Sequence, residues 1–134
     1  MALALIKRGY INIPSTKIPI TLNFTGATNI NVNCYYDINT NIASLYIPSF
    51  AHNATTNGYL QAQLPPNLTP FSQISLIGSV IYSTSPTISS EIQGIITITN
   101  TGLLTISADI TYDQFIQGNM CGTFTGQTLI FNLN

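Results

Sequence analysis

The residues able to do chemistry are few and scattered. His52 is the sole histidine, so no His-based metal cluster can form, and a Ser-His-Asp arrangement would depend on that one ring. It lies in "SFAHNATTNG", which reads as a loop. A surface loop residue is the reading this setting gives, ahead of a general base. The acids are Asp37, Glu91, Asp109 and Asp113. Asp109 and Asp113 stand close together in sequence at the end of an expected strand. Paired acids in a glycoside hydrolase are held about 5–10 Å apart in a cleft. At this spacing the pair fits better as solvated groups or as caps of a turn. A calcium site would draw on more carboxylates than this region holds. No Gly-rich phosphate loop follows a strand, because "FTGAT" and "TFTGQ" read as turns. The expectation is a non-enzyme with no catalytic residues, no metal site and no cofactor.

Cys34 and Cys121 are the only cysteines. Two cysteines make no disulfide framework, and neither pairs with a second ligand at zinc spacing. Free buried thiols acting as small apolar side chains are expected, with one disulfide between them as the alternative. Three N-x-S/T triplets occur, at Asn23, Asn53 and Asn67. In a chain so rich in Asn and Thr they arise by chance, and they matter only in a secreted protein.

The elements that must position these residues are strands. In "GIITITNTGLLTISADI", residues 94–110, apolar residues alternate with Thr and Ser on both sides of Asn100-Thr101-Gly102. Gly102 supplies the positive φ that closes a three-residue hairpin loop. This register pairs Ile98 with Leu104, Thr97 with Thr105 and Ile96 with Ile106, and it puts the apolar set on one face. "INVNCYYDINTNIASLYIP" repeats the logic. A turn at Asn39-Thr40 pairs Tyr36 with Ala43, Cys34 with Leu45 and Val32 with Ile47. Further strands are expected over about 19–24, 58–64, 74–83 and 128–133, with another in "LIKRGYINI" near the N-terminus. "TYDQFIQGN", 111–119, is the one stretch with room for a helical turn. Eight to ten short strands with regular turn chemistry predict an antiparallel β-sandwich or jelly roll, in one domain over residues 1–134.

Composition narrows the function. Charged residues make up 5 % of the chain, with a net charge of -1. Nucleic-acid binding needs a basic patch, which this chain lacks. A membrane-surface helix needs Lys or Arg along one face. No stretch approaches the roughly 18 apolar residues of a spanning helix, so no membrane insertion is expected. The start "MALALIKRGY" is no signal peptide by pattern: its apolar run is short and its charges follow the run. Asn and Ile are abundant, to which an AT-rich genome contributes. A β-sandwich usually blocks edge and face pairing with charge. With so little charge, burial of faces against identical copies is the expected solution, hence a homo-oligomer.

"NTNIASLYIPSF", "TTNGYLQAQLPPNLTP" and "EIQGIITITNTGLLTISADITYDQFIQGNMCGTFTGQTLIFNL" occur in that order. Together they resemble the C-terminal head domains of viral fibre and collagen-like proteins of giant DNA viruses, virophages and bacteriophages. The likeness covers roughly residues 30–134. It implies a homotrimeric β-sandwich knob on the virion surface, made in the host cytoplasm, bound to other virion proteins and meeting a host receptor or glycan. It brings no catalytic or binding residues, because Pro48, Pro65, Gly94 and Gly102 are shape-giving positions. No collagen-like G-x-y run is present. For a glycan, the aromatic and Asn-rich loop of Phe50, His52, Asn53, Asn57 and Tyr59 is the candidate site, set against the plainer reading of a connecting loop. The alternatives to a fibre head are a lectin-like or adhesin module of cellular origin and a minor capsid or cement protein without a ligand.

Overall fold

The computed structural model describes residues 17–88 and 90–134. The strand expected in "LIKRGYINI" lies outside them. Ten strands follow one another: β1 Ile18–Gly26, β2 Ile30–Asn39, β3 Ile42–Ile47, β4 Phe50–Asn53, β5 Leu60–Gln63, β6 Ile74–Tyr82, β7 Ser90–Ile98, β8 Leu103–Ile106, β9 Met120–Thr123 and β10 Gln127–Asn132. A short 3-10 turn, Pro66–Leu68, is the only helical element among the described residues. All pairings are antiparallel, in the order β10-β3-β2-β1-β5-β8-β7-β6-β9-β4.

The sheet curls into two layers. β10, β3, β2 and β1 form one, and β5, β8, β7, β6, β9 and β4 form the other. They are joined where the end of β1 turns onto β5, pairing Thr25 with Gln61 and Gly26 with Leu60. The alternation along each strand makes this arrangement, because period-two burial puts one side chain in two toward the facing layer. Leu22, Phe24, Val32, Leu45, Ile47 and Leu129 from one layer meet Leu60, Val80, Ile96, Ile98, Leu104 and Ile106 from the other in one core. The all-β sandwich expected from the pattern is the fold observed.

The β7–β8 hairpin has the expected register: Ile98 faces Leu104, Thr97 faces Thr105 and Ile96 faces Ile106. Gly102 has φ +88°. The outward Thr positions are satisfied without charge. Ser75 Oγ and Thr97 Oγ1 lie 3.2 Å apart, and Gln61 Nε2 donates to Thr105 Oγ1 at 3.3 Å. These neutral cross-strand bonds do the work that ion pairs do on most sheets.

The β2–β3 hairpin corrects the expected register by two residues. Asn39 pairs with Ile42, Ile38 with Ala43 and Tyr36 with Leu45, so the turn is Thr40-Asn41, one residue later than expected. A two-residue slip preserves which side chains face inward, so the apolar pattern could not detect it. Thr40 has φ 60°, a conformation costly for a β-branched residue and one that hairpin turns usually give to glycine. Thr40→Gly is therefore expected to stabilise the protein by about 0.5–1 kcal/mol. Chemical denaturation measures it, and a loss of stability would contradict this account of the turn.

Two further corrections concern short elements. "SFAHN" is not a loop. It contains edge strand β4, paired residue for residue with β9, so that His52 faces Cys121 and Phe50 faces Thr123. Residues 111–119 hold no helix, and an isolated bridge between Gly58 and Phe115 runs through them instead.

Candidate functional site

An open cleft of about 560 Å³ lies where β5 begins and where β6 and β8 end. One wall is the segment from Ser107 to Asn119. Backbone bonds stitch it to the chain before β5: Gly58 and Phe115 exchange N–H···O bonds of 3.0 and 2.8 Å, Gly118 N donates to Ala54 O and Ala54 N donates to Asn119 O. Buried Phe115 pins the segment to the core. Paired backbone and an anchoring aromatic hold the wall in one conformation without regular secondary structure.

Three tyrosines line this cleft, Tyr59, Tyr82 and Tyr112, with Ile116, Met120, Gln114, Asn119, Asp109 and Asp113. Tyr59 is half-buried, and its hydroxyl donates to Tyr112 O at 2.7 Å. Tyr82 and Tyr112 keep 45 % and 55 % of their surface exposed. Tyr112 has φ 64°, which a bulky residue adopts only when its surroundings impose it. The imposing contacts are visible. Asp109 Oδ1 accepts from Thr111 N at 2.8 Å, Thr111 Oγ1 at 2.7 Å and Asp113 N at 3.2 Å, folding a tight turn around Tyr112. The Thr111 hydroxyl chiefly holds the Asp109 carboxyl below its usual range; burial opposes it, and the two amides and the Asp113 side chain add to the lowering. Asp109 is thus the turn cap that its spacing suggested.

The five residues of the expected loop are dispersed to different tasks. Phe50 stacks on Phe24 with ring centroids 5.2 Å apart and belongs to the core rim. His52 Nδ1 is hydrogen-bonded to the hydroxyl of buried Thr28 at 2.8 Å. The Asn53 amide, oriented to satisfy both its ends, donates to Gly118 O and Asn119 O at 3.3 Å. Asn57 Oδ1 accepts from Gln117 N at 2.8 Å. Asn53 and Asn57 therefore position the cleft wall without lining the cleft. Tyr59 alone of the five lines it. Sequence reading missed Tyr82 and Tyr112 as partners. The available signal was "DITYDQ", in which an Asp-x-Thr turn places an aromatic at its tip.

No known family model and no curated protein sequence matches the chain. Among the described residues no three His, Cys, Asp or Glu side chains converge as a metal would need. Both thiols are free and buried in the core, one in each layer. Burial pushes Cys34 up to about 12 and Cys121 up to about 11, so both are inert thiols at neutral pH. Among the described residues no helix is long and apolar enough to cross a membrane. What remains is a preformed, tyrosine-lined cleft of a size for binding.

Proposed function

We propose that this chain is a non-enzymatic head domain of a virion fibre, carried on the particle surface as a homotrimer and serving in attachment to the host. The observation that carries self-association is the outer face of the β10-β3-β2-β1 layer. The register places Thr128, Tyr46, Tyr35 and Pro19 in one row and Ile130, Ser44 and Asp37 in the next, with Ile42 beyond. Ile130 is 66 % exposed, Ile42 47 % and Tyr35 46 %. Among the described residues the charges on this face are Asp37 and, in the same groove at its edge, Lys17. An aromatic four-stranded face with exposed isoleucines and a single opposite-charge pair at its edge is what a subunit contact needs and what a lone sandwich avoids. The resemblance of residues 30–134 to fibre heads supplies the viral setting and the number three.

The test is mass in solution, by light scattering coupled to size exclusion, for the wild type and an Ile130→Lys/Tyr46→Lys variant. The expected result is a three-chain mass for the wild type and a one-chain mass for the variant, with both still folded by circular dichroism. A wild-type monomer would overturn the fibre-head reading. The tyrosine cleft would then favour a monovalent lectin-like or adhesin module, the second reading this surface supports.

A further inference from the structure

We propose that the cleft between Tyr82 and Tyr112 binds a neutral saccharide and discriminates against acidic sugars. The attachment reading gives this a setting, but the chemistry rests on the cleft alone. A pyranose ring presents an apolar C–H face and a rim of hydroxyls. It is held by an aromatic face below and hydrogen-bond acceptors at the edge. Both are present. Tyr82 and Tyr112 expose their rings at the mouth. Tyr59 is tied by its hydroxyl to Tyr112 O at 2.7 Å, which fixes both residues relative to each other. Asp109 and Asp113 stand in the same wall as acceptors for sugar hydroxyls, in the strong charge-assisted form.

One competitor would use the same side chains. Tyrosines with carboxylates also form cages for quaternary ammonium groups, which need rings closely grouped around one cation. Among the described residues the one aromatic pair in contact is Phe24–Phe50, so no two cleft tyrosines stack on each other, and a choline probe separates the two ligand classes. An open cleft of about 560 Å³ has room for a ligand of two or more sugar units. The electrostatics set the class. Among the described residues two carboxylates and no Lys or Arg line the cleft, so a sialic or uronic acid would place like charge beside like charge. The left-handed Tyr112 fits the same reading. Its φ of 64° holds an aromatic at the tip of a turn where glycine would be easier, and the ring at the cleft mouth is what that strain secures.

The experiment measures binding of a neutral galactose-terminated tetrasaccharide and of the same glycan capped with sialic acid, by titration calorimetry and saturation-transfer NMR. Choline chloride serves as the ammonium probe. The neutral glycan is expected to bind, and the sialylated one to bind at least about tenfold more weakly. Tyr82→Ala is expected to weaken the neutral glycan about tenfold. Tyr112→Gly is the sharper variant. It removes the ring but suits the backbone, so the melting temperature holds or rises while binding falls by the same factor or more. Asp113→Asn is expected to narrow the gap between the two glycans. Ile130→Lys, on the other layer, leaves binding unchanged whatever it does to the mass, so failure of this proposal and failure of the trimer are read separately. The proposal is overturned by no binding of the neutral glycan, by binding that survives both tyrosine variants, by preference for the sialylated glycan, or by choline displacing the glycan from the tyrosines.

Discussion

Gly26→Ala is expected to destabilise the protein by at least about 3 kcal/mol. Gly26 has φ +102°, and a Cβ there would stand 2.0 Å from Tyr59 O. That oxygen cannot move aside, because it accepts from Ala27 N at 2.8 Å in the pairing that turns β1 onto β5. The methyl therefore acts at the joint between the two layers. Gly118→Ala is the control. Its φ is +89°, and apart from its chain neighbours no atom lies within 4 Å of where a methyl would stand. Only backbone strain of about 1–2 kcal/mol is expected there. Urea denaturation of both variants measures the difference. Equal losses would show that backbone crowding at the joint is unimportant.

Stability is expected to fall steeply in alkali, for a reason that lies in the core. In the unfolded chain both thiols titrate near 9.0, while in the fold burial pushes Cys34 up to about 12 and Cys121 up to about 11. The folded protein thus holds two protons that the unfolded chain releases. Stability drawn from this difference is fully present below about pH 9 and is lost as pH rises through 11 and 12. Each thiol costs up to about 1.4 kcal/mol per pH unit, so the two together remove roughly 1–3 kcal/mol per unit between pH 9 and 11. That is a large share of a typical domain's stability of about 5–15 kcal/mol. Denaturation midpoints measured from pH 7 to 11 check the slope. The Cys34→Ala/Cys121→Ala variant is expected to start less stable and to follow a flatter curve. A wild-type curve as flat as the variant's would show that the thiols are not the cause.

How much of this was legible depended on whether a feature is local. The β7–β8 hairpin was readable to the residue, because Gly102 marks the loop and the alternation on either side leaves one consistent register. The β2–β3 hairpin was readable to its faces but not its register, because Thr40 adopts a glycine's conformation and carries no glycine's label. β4 and β9 were missed. Each is four residues long, and "MCGT" is interrupted by Gly122, at φ +139° against Phe50 O. Their identity as strands comes from each other, across some seventy residues of chain. The cleft was half legible. Tyr59 was chosen from its loop, but Tyr82 and Tyr112 join it only through the curl of the sheet, which no local pattern encodes.

That long-range pairing also sets a timetable. The outer edge of β3 is covered only by β10, and β4 is paired only by β9. Neither layer is complete until a ribosome has added Gln127–Asn132 for one and Met120–Thr123 for the other. Up to then the growing chain carries apolar strands with open edges and no partner to close them. Folding of this domain waits for these late strands and then proceeds by distant contacts, on the slow millisecond-to-second scale of all-β domains. During that wait the strands of neighbouring nascent chains compete with the chain's own late strands for the same edges. A near absence of charge leaves that interval unguarded.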